Sequence, residues 1–410
     1  MPEVKPFYGW RFNPQKVDLA RVVAPPYDVV SPEEKAAYLA RDPHNIFHLE
    51  LASRPEEASR KLETWISEGV LIRESRPALY LYRLHFTHQG QKFVRTGFIG
   101  LVRLSPFSEG RILPHEKTFP KVTEERLALL RATKAQFSQI FVLYSDPKRR
   151  TLSSLPEASP LLRVKFQDEI HEILALTDPS LQKTLTDFWE DLPFYIADGH
   201  HRYTTALRYA EEMTRALRPE GPRCFHYMMM YLCPFEDPGL VVLPTHRILR
   251  HPFSPEELSR RLLPLVHLEE DPKARPSLEE KALVLLSAGR RFRMRLRPEA
   301  LERWRAESGL PEEALPAAWC ARIIETLCEE GEKDLKEKGL LSYTPREEEV
   351  EHEAIKGALG FLLPATPLEA LARVAASGKV MPHKSTYFHP KILTGTVIFR
   401  LNPQSAPPCP

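Results

Sequence analysis

In the stretch FYIADGHHRYTTALRYAEEM, residues 194–213, an apolar run passes into an amphipathic segment with a single glycine at the junction. Phe194 to Ala197 form a strand-like run rich in aromatic and β-branched residues. From about His201 onward, Tyr203, Ala206, Leu207 and Ala210 recur at three-to-four spacing, which is one apolar stripe of a helix. A strand that feeds a helix through so short a turn points to an α/β fold.

The junction itself is Asp198-Gly199-His200-His201-Arg202. Gly199 permits a tight turn with positive φ. The first N–H groups of the following helix then face into the turn, at the positive end of the helix dipole, where an anion is favoured. Arg202 adds a planar donor suited to phosphate or carboxylate. Asp198 can hold a metal-bound phosphate or orient an imidazole. The plainer reading makes Asp198 a helix cap and the histidines solvated.

Composition narrows the classes. The 410 residues are 42% hydrophobic and 27% charged, an ordinary globular balance that suggests about two to three domains. A net charge of +2 and the lack of a basic stripe with interleaved aromatics give no reason to expect a nucleic-acid partner. No run approaches the roughly 18 apolar residues of a membrane helix, and MPEVKPFYGW has no signal-peptide core. Five scattered cysteines without a CxxC argue against a disulfide framework or a thiolate zinc site, and for a reducing cytoplasm. There is no GxxxxGK, no GxGxxG, no internal repeat and no heptad pattern.

Other segments read as follows. In APPYDVVSPEEK, Ser31, Pro32 and Glu34 form the start of a helix with a capping box, which leaves Tyr27 and Asp28 on the loop before it. Pro55 to Gly69 is an amphipathic helix. ALYLYRLHF and VRTGFIGLVRL form a hairpin across the polar THQGQK, and LLRVKFQDEIHEILALTD forms a second one. Ile140 to Tyr144 and Ile392 to Phe399 read as strands. The expected division is 1–147, an N-terminal α/β segment that contributes loops; 148–251, the core with the Asp198–Arg202 turn; 252–345, a helix-rich α/β module; and 346–410, a strand–helix–strand tail.

Several further polar loops carry chemistry. GRILPHEKT supplies His115, Glu116, Lys117 and Thr118, but it lacks the second histidine of a zincin helix. VMPHKSTYFHPK supplies His383, Lys384, Ser385, Thr386, His389 and Lys391, and a lysine with two hydroxyls suits phosphate contact. NIFHLEL supplies Asn45, His48 and Glu50, and LPTHRIL supplies His246 and Arg247. Loops at one edge of an α/β sheet commonly converge on a ligand.

The motifs APPYDV, HEKT, ADGHHRYTTAL and MPHKSTYFHPK, in this order along the chain, resemble the prokaryotic family catalogued as domain of unknown function 1015. The Asp-Gly-His-His-Arg turn is in addition similar to the phosphate-binding turn of the ParB/sulfiredoxin superfamily, whose free-serine kinases carry an Asp-Gly-x-His-Arg turn. The resemblance implies a ParB/sulfiredoxin-like α/β core with mixed sheets, additional α/β modules and phosphoryl-transfer chemistry. Carried over by position, Gly199, His201 and Arg202 match the phosphate-binding turn and Asp198 its acidic residue.

The resulting expectation is a cytoplasmic phosphotransferase acting on a small hydroxyl substrate, with L-serine the leading acceptor. The donor is ATP, ADP or pyrophosphate with Mg2+. Gly199, His200, Arg202, Lys384, Ser385 and Thr386 are expected on the donor. Glu116, Asp198 and His201 are expected in catalysis, with Glu116 as base and Glu50 or Asp28 as its alternatives. Tyr27, Asp28, His115 and Thr118 are expected on the substrate, and Asp198 on magnesium. Asp28, Glu116, Arg202 and Lys384 should line one cleft. The runner-up is a non-enzymatic nucleotide-binding regulator, and a metal hydrolase built on His115, Glu116, His200 and His201 is the third reading. Neither a nucleic acid nor a membrane is expected as partner. A homodimer is the candidate assembly.

Overall fold

The computed structural model describes residues 2–116, 120–153, 155–156, 158–308, 315–402 and 404–409. They form two compact units, each mixed α/β. The first comprises 1–114, 118–240 and 390–410; the second comprises 115–117 and 241–389. The expected segments 1–147 and 148–251 thus fall mostly in the first unit and 252–345 in the second, while 346–410 is divided between them.

The first unit is built on a nine-stranded sheet. Its strands are β1 (Val4–Lys5), β2 (Leu79–His88), β3 (Gln91–Arg103), β4 (Ile112–Leu113), β5 (Ile140–Tyr144), β6 (Leu162–Phe166), β7 (Glu169–Leu176), β8 (Phe194–Asp198) and β9 (Tyr227–Pro234). The spatial order is β4-β8-β5-β9-β3-β2-β7-β6, with β1 on β3. The β8/β4 and β9/β5 pairs are parallel, and the other pairs are antiparallel. Both expected hairpins are present. In the first, the turn shrinks to Gln89-Gly90, both at positive φ, the geometry that suits a two-residue hairpin loop.

Helices α1 (Pro32–Arg41), α2 (Phe47–Glu50), α3 (Pro55–Ser67), α4 (Pro120–Thr133), α5 (Pro179–Glu190) and α6 (His200–Leu217) belong to the same unit. The capping box at α1 forms as read: Ser31 Oγ accepts from Glu34 N, and Glu34 accepts from Ser31 N. One buried cluster joins Leu79, Phe98, Trp189, Ile196 and Tyr203. A second joins Phe12, Ile46, Phe47, Trp65, Phe137 and Leu393. Burying such side chains is the main favourable term in forming these layers.

The second unit has a six-stranded antiparallel sheet made of β10 (His246–Leu249), β11 (Val266–Glu270), β12 (Ala282–Ser287), β13 (Arg290–Leu296), β14 (Leu341–Thr344) and β15 (Leu359–Leu362). Its order is β11-β13-β12-β15-β10-β14. Helix Pro316–Cys328 brings Trp319, Ile323 and Ile324 into its core. Val241–Leu243 pairs with Tyr387–His389 as a separate ribbon.

Two expectations are corrected. Ile392 to Phe399 is not a strand. Thr394 makes only an isolated bridge with Ala24, and Gly395 turns at φ 86° and donates to the Phe137 carbonyl. Ile398 makes a second isolated bridge, with Trp10, and a ladder forms only at Phe399–Arg400, against Ala135–Gln136. The apolar residues of this segment are buried by a coiled path through the core rather than by a pleat. The cysteines also differ from the reading: Cys224 and Cys409 are joined by a disulfide. The two lie 185 residues apart, so spacing carries no sign of the pair. Among the described residues, no helix is long and apolar enough to cross a membrane.

The pairing predicts a thiol count. Unfolded without reductant, the protein should react with Ellman's reagent at the three cysteines Cys233, Cys320 and Cys328, and after reduction at all five. Five reactive thiols before reduction would remove the Cys224–Cys409 bond.

Candidate functional site

The Asp198–Arg202 junction has the predicted strand–turn–helix form. The register of β8 against β5 shifts between Ile196 and Asp198, a bulge that re-aims the strand end and sets Asp198 opposite Phe141. Gly199 follows at φ 99°, in the left-handed region, and α6 starts at His200. A Cβ at position 199 would lie 3.0 Å from the Arg202 guanidinium, so the arginine folds back over the glycine. Glycine is required here for its backbone angle, and it lets the guanidinium lie close above it.

Asp198 is held by two cations. Arg202 Nη2 donates to Oδ2 at 2.8 Å, and Lys391 Nζ donates to Oδ1 at 2.9 Å. Arg202 Nη1 also donates to the Gln139 carbonyl at 2.7 Å. Burial opposes the charge of Arg202, but Asp198, then Tyr27, Asp28 and Glu50, outweigh it and hold its pKa above the usual value. Tyr27 and Asp28 lie in the 3-10 turn Tyr27–Val29. The Tyr27 ring carries the Arg126 guanidinium at 4.4 Å, and burial together with Asp28 pushes its phenol up to about 12. His200 is buried and His201 partly so. Their carbonyls accept from the hydroxyls of Thr204 and Thr205, so α6 is firmly wound from its first turn.

Beside this turn lies a cavity of about 60 Å³, lined by Glu50, Arg126, Ser138 and Arg202 among apolar walls from α4, α6 and Met228. Glu50 closes α2 and is buried. Its Oε1 accepts from Ser138 Oγ at 2.8 Å, and its backbone carbonyl accepts from Arg126 Nη1 at 2.8 Å. Its Oε2 and Arg126 Nε have no hydrogen-bond partner among the described residues. Burial raises the Glu50 pKa, against the opposing pull of Arg126, Arg202 and the Ser138 hydrogen bond.

The remaining expected residues belong to the second unit, as a group of their own. His115 Nε2 lies 3.2 Å from Thr386 Oγ1, and its carbonyl accepts from Met381 N at 2.7 Å. Glu116 Oε1 meets His383 Nδ1 at 2.5 Å, and Lys336 Nζ meets His383 Nε2 at 3.2 Å. Ser385 is buried, and its hydroxyl donates to the Pro382 carbonyl at 2.6 Å. The loop is backed by Arg247, fully buried and paired with Glu332 at 3.0 Å, which also donates to the carbonyls of Thr245, His383 and Lys384. His246 is buried too, accepts from Leu363 N, and is pushed down to about 4 by burial. Thus Tyr27, Asp28, Asp198, Gly199, His200, His201 and Arg202 belong to one unit. His115, Glu116, Lys384, Ser385 and Thr386 belong to the other. Thr118 lies outside the described residues.

Magnesium fits poorly at Asp198. Each carboxylate oxygen already accepts from a cationic side chain, whereas a magnesium ligand must turn an oxygen toward the ion. Among the described residues, no group of three His, Cys, Asp or Glu side chains has metal-holding geometry. Gln139, Arg126 and Ser138 adjoin this candidate site although the sequence reading gave them no role, and Lys391, named there only with the MPHKSTYFHPK loop, pairs with Asp198. The polar pair Ser138-Gln139, set just before the apolar Ile140–Tyr144, was the available sign.

Comparison with known proteins adds the following. The model of a protein family of unknown function, DUF1015, matches residues 4–319. Among solved structures, the chain is similar to a mutant free serine kinase in complex with ADP. That match has 14% identity over 72% of this chain and 90% of that chain, with a TM-score of 0.39. It is also similar to a conserved hypothetical protein from Pyrococcus furiosus, at 15% identity over 72% and 93%, TM-score 0.36. A third is SbnI with C-terminal truncation from Staphylococcus aureus, at 10% identity over 72% and 85%, TM-score 0.38. No curated protein matches the chain by sequence.

The raised pKa of Glu50 has a consequence for stability. The folded state holds this proton more tightly than the unfolded chain, where Glu titrates near ~4.3. Stability linked to Glu50 is therefore full below that pH and is lost as pH rises through the folded pKa. Glu50→Gln should raise the melting temperature relative to wild type, by a margin that widens as pH rises through that window and then levels off. A margin constant from pH 4 to 8 would mean that the Glu50 pKa is not raised.

Proposed function

The chain belongs to the DUF1015 family, and we propose that it is a phosphotransferase that moves a phosphoryl group from a nucleotide or pyrophosphate to the hydroxyl of a small substrate, with free L-serine as the acceptor. The observation that carries this reading is the junction at Gly199, where an 18-residue helix starts from a left-handed glycine beneath the Arg202 guanidinium. Its first turn directs N–H groups and the positive dipole end at one spot, beside Arg202 and Lys391. Phosphoryl transfer needs little more from a protein than positioning and neutralisation of spread negative charge.

The donor phosphate sits at this turn and shares the Arg202 and Lys391 donors with Asp198. The acceptor O–H gives its proton to Glu50, its oxygen bonds to phosphorus, and the bond from phosphorus to the donor's bridging oxygen breaks, with the electron pair leaving on the donor. Glu50 takes the place of Glu116 as the base. Glu116 is engaged by His383, whereas Glu50 keeps one oxygen without a partner inside a cavity next to the turn. A raised pKa also makes Glu50 a stronger base than an exposed carboxylate. No step is assigned to magnesium, and none to the residues of the second unit.

The test is phosphoserine formation from L-serine with ATP, ADP and pyrophosphate in turn, in magnesium buffer. Glu50→Gln should lower turnover by about 10²–10⁴ while leaving donor affinity near wild type. The rising limb of the wild-type pH profile should lie above the ordinary glutamate range and vanish in that variant. Product from no donor would refute the reading. Nucleotide binding without product would favour a ligand-sensing regulator instead.

A further inference from the structure

The cavity between α4 and α6 holds two polar atoms that the fold leaves without partners. Glu50 Oε2 is an acceptor and Arg126 Nε–H is a donor, and both are buried. Buried polar atoms are nearly always paired, by protein, water or ligand. Both residues line the same cavity, with Gln136, Ser138, Thr205 and Arg202 as its other polar lining and apolar walls from Leu130, Phe137, Ala206 and Met228. We infer that this cavity seats the hydroxyl-bearing end of the acceptor, and that the acceptor is a compact aliphatic alcohol of amino-acid size. The inference rests on the phosphotransferase reading above.

The chemistry of the two atoms selects the ligand group. An ionised carboxylate only accepts and a guanidinium only donates. A ligand carboxylate would meet Glu50 as a like charge, and a ligand ammonium would meet Arg126 as one. A hydroxyl does both jobs with one oxygen: its hydrogen goes to Glu50 Oε2, and its lone pair takes Arg126 Nε–H. It is also the group that the reaction requires. Size sets the other limit. One water needs about 10–15 Å³ of such space, so a cavity of about 60 Å³ takes roughly four non-hydrogen atoms. That fits a hydroxymethyl or hydroxyethyl group and excludes a sugar ring. The apolar walls suit the carbon stem.

The experiment titrates the full chain by calorimetry with L-serine and with L-alanine, which differ only in the hydroxyl, each with and without ADP. Serine should bind at least ~10-fold tighter than alanine, since losing the hydroxyl leaves both buried atoms unpaired. D-glucose should give no heat. Ala206→Leu, which fills the cavity from α6, should weaken serine at least ~10-fold and leave ADP affinity within about twofold of wild type. Equal affinity for serine and alanine in the wild type overturns the inference, whatever becomes of the variant. Wild-type phosphoserine formation with unchanged turnover in Ala206→Leu overturns it as well, while leaving the phosphotransferase reading intact. A serine preference without ADP binding or product supports the seat and removes the phosphotransferase reading.

Discussion

The first unit's candidate site depends on one carboxylate shared by two cations. Asp198 ends a strand, Arg202 lies one turn into the helix that follows, and Lys391 comes from the far end of the chain. A charge removed from water is tolerated only when paired. Asp198 is 18% exposed, and Arg202 and Lys391 are 10% and 13% exposed, so each of the three needs the others. The same guanidinium bonds the Gln139 carbonyl, just before β5, and so fixes the helix start against two neighbouring strands. This knot braces the left-handed turn at Gly199, whose carbonyl also accepts from Tyr203 N.

Lys391 reaches Asp198 because its own segment is nailed to the sheet. Arg95, wholly buried against the rings of Phe141 and Tyr231, donates to the Pro390 carbonyl at 2.7 Å. Leu393 N donates to Tyr82 Oη at 3.2 Å, and its carbonyl accepts from Gln139 Nε2 at 3.2 Å. Thus β2, β3 and β5, far away in sequence, decide where a lysine near residue 390 points. Gln139 serves both sides: its backbone carbonyl holds Arg202 and its side chain holds the segment carrying Lys391.

This division explains what could be read from the residues alone. Local features were legible because their causes are local. The capping box at Ser31, the two hairpins and the strand–glycine–helix junction each follow from side-chain periodicity or from one residue's backbone freedom. The segment after Pro390 misled because Ile392 to Phe399 has the apolar content of a strand. The difference lies in partners: Thr394 and Gly395 find theirs in Ala24 and Phe137, which no local pattern reveals. Arg126 escaped notice for the same reason. It sits in a charged helix, TEERLALLR, and only the fold shows that it is turned inward over Tyr27.

Counting donors separates the cations that brace from those that can serve a ligand. In the second unit the MPHKST loop looks like a phosphate seat by composition. Yet buried Arg247 spends its donors on Glu332 and on backbone carbonyls of Thr245, His383 and Lys384, and the Ser385 hydroxyl closes back on Pro382. Those groups hold a loop in shape. Arg202 in the first unit is likewise engaged, by Asp198 and Gln139, so a phosphate arriving there has to compete with a carboxylate or rely on the backbone N–H groups of α6. Among the buried atoms of this unit that lack a partner, Glu50 Oε2 and Arg126 Nε belong to residues that line the adjoining cavity. A motif's residue types therefore mark where polar chemistry is concentrated, and the unmet hydrogen bonds beside it mark where a ligand would change the energy most.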